Sequence, residues 1–208
     1  MDIYRFLFFD IAIVIAIISL LFLLKVGKNK FTLFRITNKE KLFRKTSLNL
    51  PDKEKLFELE KVAKNQGSGI EFNSITGDWT FVSVWKNDID EEDPVFTSLL
   101  KVFAAKIEFK RDILVRNSPR FSLKVTIQFG LFTIEFSGFG CLKGQQPLLP
   151  FFFNLIQLKS GTKTLLSRSL KEPEKNNKSF FTLIALEKSS SSLIARVKGG
   201  AVVIWLKN

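Results

Sequence analysis

Hydrophobic positions along this chain follow three patterns in turn. Residues 6–26 read FLFFDIAIVIAIISLLFLLKV; from Ile11 to Leu24 there is no charge, and Ser19 is the only polar side chain. A membrane-spanning helix needs about 20 mostly apolar residues. Counted from Phe6 the run is long enough, with Asp10 about one turn inside its end, where a carboxylate still reaches headgroup water. No small-x-small cleavage site follows Leu24, and Asp2 offsets Arg5 where a signal peptide would start positive. Residues 1–26 are therefore expected to form an uncleaved, single-pass anchor.

The second pattern is helical. In residues 51–66, PDKEKLFELEKVAKNQ, the side chains Leu56, Leu59, Val62 and Ala63 make a narrow apolar stripe. Pro51 suits the first helical position, Asp52 and Glu54 suit the positive end of the helix dipole, and Gly67 can close the far end. From Ile75 onward the period becomes two. TGDWTFVSVWK predicts Trp79, Phe81, Ser83 and Trp85 on one strand face; FSLKVTIQF predicts Phe121, Leu123, Val125, Ile127 and Phe129 together. AKIEFK, the run from Phe132 to Phe136, FFFNLIQL, TLLSRSL, SFFTLIAL, SLIARV and AVVIWLK add further candidates. Eight or nine strands with short connections and no second helical crossover predict an antiparallel meander. The expected fold is mainly β: a lipocalin-like antiparallel β-barrel over residues 51–208 with one helix before it, joined by a linker (27–50) to the transmembrane helix.

Charge changes this picture by giving it a direction. The net charge is +12, and residues 25–64 hold 12 basic and 5 acidic side chains. A basic flank after a span marks the cytoplasmic side, so the N-terminus is expected outside and the β domain on the cytoplasmic (or stromal) face. The same flank is drawn to anionic lipid headgroups. Membrane lipids are thus the expected partner. No RNA-binding or zinc-finger pattern points to nucleic acid.

Composition narrows the chemistry. The chain has no histidine and a single cysteine, Cys141. Ser/His and Cys/His nucleophile pairs and the usual zinc sets are thereby excluded, and so is an intrachain disulfide. The acidic run at 88–93 lacks the glycine and closing glutamate of a helix-loop-helix calcium site and reads as a solvated turn. Gly138, Gly140 and Gly144 have no Lys-Ser/Thr pair to make a phosphate loop. No catalytic residue, metal site or cofactor is expected. With 23 Phe against one Tyr and three Trp, the barrel interior is the candidate site. Trp79, Phe81, Trp85, Phe121, Phe129 and Trp205 are the residues expected to line it, around one small apolar ligand or as an ordinary packed core.

The lead helix followed by ITGDWTFVSVW resembles the opening of the plastid lipid-associated protein (PAP, or fibrillin) domain, where a helical lead precedes a Gly-x-Trp strand. The end of the chain, LIARVKGGAVVIWLK, is similar to that family's closing hairpin. The matching positions are Gly77 and Trp79, then Leu193, Arg196, Gly199 and Gly200. The resemblance implies a lipocalin-like module of plastids or cyanobacteria, thylakoid-associated, that binds a lipid, quinone, carotenoid or similar apolar molecule, with Arg196 beside its polar head. The competing expectation is a membrane-anchored scaffold with a packed barrel and a protein partner.

Overall fold

The computed structural model describes residues 50–86, 91–111, 120–144, 147–174, 178–187 and 189–208. The expected anchor, Asp10 within it, the basic linker up to residue 49 and the first part of the acidic turn lie outside these residues. No helix among the described residues is long and apolar enough to cross a membrane.

Helix α1 spans Lys53–Gln66, α2 is the single turn Phe72–Ile75, and α3 spans Pro94–Val102. The strands are β1 (Gly77–Trp85), β2 (Lys106–Arg111), β3 (Arg120–Phe129), β4 (Phe132–Cys141), β5 (Leu148–Ser160), β6 (Lys163–Ser169), β7 (Ser179–Glu187), β8 (Ser192–Val197) and β9 (Val202–Lys207). Their hydrogen-bonded order is β4-β3-β2-β1-β9-β8-β7-β5-β6, and β4 also pairs with β5. All pairings are antiparallel, and the β4–β5 pairing makes the sheet ring-like, with β6 paired to β5 alone. The long strand β5 makes this possible: residues 148–151 pair with β7, and residues 155–160 pair with β6.

The local reasons are those expected of the sequence. Asp52 caps α1 by accepting from the Lys55 amide at 2.9 Å, and Gly67 closes it at φ 81°, in the left-handed region that glycine tolerates. Leu56 and Ala63 of α1 pack on Ile184, Ile194, Val202 and Ile204, on the outer face of β7, β8 and β9. The inner face of the ring carries the larger cluster, which includes Ile75, Trp79, Phe81, Phe109, Phe121, Leu123, Leu193 and Trp205.

Two expectations need correction. Helices besides α1 are present: the single turn α2, and α3, which begins at Pro94 and is capped by Asp93, whose carboxylate accepts from the Val95 and Phe96 amides. Helix α3 folds back on β1, where the buried Thr97 hydroxyl accepts from the Val84 amide at 3.0 Å. The alternation of β1 is also interrupted. A bulge lies between Phe81 and Ser83, so Val84 pairs with the inward Val203 while Ser83 and Trp85 pair with Ile204 and Val202. One extra residue reverses the faces that follow it.

Candidate functional site

The seven residues singled out from the sequence do not form one group. Trp79, Phe81, Phe121 and Trp205 meet on the inner face in one buried cluster. Phe81 and Trp205 are cross-strand partners, and the Trp79 indole donates to the Ile75 carbonyl at 2.7 Å. Phe121 stacks on Phe72 with centroids 5.3 Å apart and meets Phe109 edge-on at 5.9 Å. Phe151, Phe181 and Trp205 continue the chain of rings at 4.8 and 5.4 Å. These side chains fill space against one another in ordinary aromatic geometry.

The other three stand elsewhere. Phe129 shares the inner face of β3 but lies at its end, against Phe132 at 5.7 Å. Trp85 is turned by the bulge to the face beneath α1, where it packs on that cluster's edge. Arg196 is also on that outer face. Its Nε and Nη2 donate to the two carboxylate oxygens of Glu60 at 2.7 and 2.6 Å, and its Nη1 donates to the Gly200 carbonyl. Glu60 is buried, and Lys64 lies 3.3 Å from it. Burial alone would push this carboxyl up; Arg196 and then Lys64 outweigh that and hold it below its ordinary value. In this structure Arg196 is the fastening of α1 to β8.

The glycines of β4 belong to the inner packing. Gly140 pairs with Phe121 across β3 and β4, and a Cβ on Gly140 would lie 2.3 Å from the Phe121 ring. A Cβ on Gly138 would lie 1.9 Å from the Phe152 carbonyl oxygen, where β5 bulges toward it. Large rings on one strand are accommodated by absent side chains on the next.

The described residues form surface grooves, of which two bear on a binding site. One, of about 350 Å³, runs along exposed side chains of α1. The other, of about 610 Å³, lies on the outer wall of β3, β4 and β5 and beside the segment before β7. Its floor is the cross-strand pair Phe139 and Phe152. Each ring carries a cation: the Arg120 guanidinium stands 5.6 Å from the Phe139 centroid, and Lys178 Nζ stands 4.8 Å from that of Phe152. Lys178 also meets Glu172 at 2.5 Å. Lys143 and Cys141 complete one wall. An apolar floor with three cations and one carboxylate is suited to a molecule that is apolar along its length and anionic at one end.

The sequence carried a signal for this groove. Residues 151–153 are three successive phenylalanines, and neighbouring residues of a strand cannot share a face. Phe151 and Phe153 pack inward, so Phe152 must stand outside. No group of His, Cys, Asp or Glu among the described residues is arranged to hold a metal ion. No protein-family model, curated protein or solved structure matches the chain.

Proposed function

We propose that this chain is a membrane-anchored binding module for a lipid, quinone, carotenoid or similar apolar molecule, built on a lipocalin-like barrel and held on the cytoplasmic or stromal face. The groove over Phe139 and Phe152 carries this reading. Its volume lies in the usual range for small-molecule sites, and its cations favour a ligand with an anionic head. The reading differs from the sequence expectation in the place of the ligand: the outer wall rather than the ring's interior. The role is binding and presentation, with no reaction assigned to the groove.

Cys141 is the chain's single thiol and lines the groove, so it reports on occupancy. Full-length protein in nanodiscs is treated with a maleimide, with and without oleate as the probe. Slower labelling with oleate in the wild type, and little slowing in Arg120→Gln/Lys178→Gln, is the expected result. Equal labelling rates with and without oleate in the wild type would count against the groove.

The packed aromatic cluster favours the second reading, a scaffold whose partner is a protein. That reading predicts one defined crosslinked partner in membranes and no ligand dependence of Cys141 labelling.

A further inference from the structure

Exposed apolar side chains are concentrated at one edge of the domain. Ten large hydrophobic side chains are exposed among the described residues, and five of them, Leu99, Val102, Leu131, Leu165 and Leu166, lie on the C-terminal half of α3 or on two neighbouring hairpins. The most exposed are Leu131 at 82% and Val102 at 75%. The backbone places them together. The Gln128 amide donates to the Phe103 carbonyl at 2.7 Å, which joins the end of α3 to the end of β3. Phe129 pairs with Phe132 across the tip that holds Leu131. Phe132 pairs in turn with Ser160, and Ser160 with Lys163, beside Leu165 and Leu166.

We infer that this edge, formed by the C-terminal end of α3 and the β3–β4 and β5–β6 hairpins, docks on the surface of a bilayer containing anionic lipid. The inference rests on the membrane-tethered reading above and gives that tether a second point of contact. Charge favours a lipid surface over a protein groove as the occupant. Lys101, Lys106 and Lys163 are exposed around the apolar tips, and the nearby Glu135 is already paired with Lys159 at 2.7 Å. Glu108 of β2 is paired with Lys110 and Lys124, and Glu91, Glu92 and Asp93 sit at the opposite end of α3, with Glu91 paired to Lys86. The helix is thus polarised, with its basic end toward the tips. Apolar tips ringed by lysine bind interfaces by burying side chains at the headgroup boundary while cations meet lipid phosphates.

The test uses the full chain with Cys141→Ser, reconstituted in vesicles of phosphatidylcholine and phosphatidylglycerol. An environment-sensitive fluorophore is placed at Val102→Cys, Leu131→Cys or, as a control, Ser189→Cys in the exposed β7–β8 turn. Acyl-brominated lipid should quench the labels at 102 and 131 by about twofold or more, as expected of side chains in the interfacial layer, and spare the label at 189. A further Leu165→Glu/Leu166→Glu change, at two exposed positions of β6, should lower that quenching. Labels at 102 and 131 no more quenched than 189 on vesicle-bound protein would overturn the inference. So would pyrene excimers at 131 without lipid quenching, which would make a second copy the occupant. A chain that fails to float with vesicles overturns both this inference and the membrane-tethered reading. Oleate protection of Cys141, read on the wild type, tests the groove separately.

Discussion

Arg196 and Glu60 show what the fold adds to a side chain singled out from the sequence. The guanidinium holds the Glu60 carboxylate through two parallel hydrogen bonds and so fixes α1 across the outer face of β8. Breaking one partner of a buried pair leaves the other charge uncompensated. Glu60→Gln is therefore expected to destabilise the domain by about 2–4 kcal/mol, read as a lower urea midpoint. Arg196→Lys should also destabilise, because an ammonium cannot reproduce the fork. The carboxyl is held below its ordinary value, so this stabilisation is complete above about pH 4.5 and is lost as pH falls through the lowered value. Glu60→Gln should lack that part of the acid-side loss in pH-dependent denaturation. Gly140→Ala should cost about 1–3 kcal/mol by overpacking against Phe121, and Gly138→Ala more, since backbone stands in its way. Resemblance to a family hairpin pointed to Arg196 but could not supply its partner, which is 136 residues away in the chain.

At the scale of elements, patterning was legible where the period ran undisturbed. β3 keeps all five of its alternating apolar residues on one face, and β8 spans the residues expected of SLIARV. The face of Trp85 was not legible, because a bulge inserts one residue without changing composition. Helix α3 was hidden by its shortness: nine residues after an acidic turn show barely two helical periods. Its start was marked all the same by Asp93 and Pro94, a cap followed by a residue suited to the first turn. Asp93→Ala is expected to cost about 1 kcal/mol by leaving the Val95 and Phe96 amides without their acceptor. Amide exchange should then accelerate over 94–102 before it does in β1. The outer groove was half legible, in the three successive phenylalanines of β5; the cations that complete it come from β3 and from the segment before β7, and only the fold brings them there.

For the whole molecule, the ring-like sheet separates two apolar surfaces with different fates. The inner one carries rings packed against one another, while the outer wall keeps two phenylalanines in contact with cations and solvent. That division moves the proposed ligand from the interior to the wall, and the proposed membrane location rests on the basic, apolar-run N-terminal region and on the exposed apolar edge at the end of α3. The basic flank predicts a topology that Cys141 can report: in intact cells a membrane-impermeant maleimide should leave it unlabelled until the membrane is permeabilised. The central claim, a groove that holds an apolar molecule with an anionic end, is tested most directly by mass spectrometry of small molecules that copurify with the full chain in mild detergent. The wild type should carry one such species, enriched several-fold over an equally folded Phe139→Ala/Phe152→Ala/Arg120→Gln variant. Equal small-molecule content in the two proteins would contradict it.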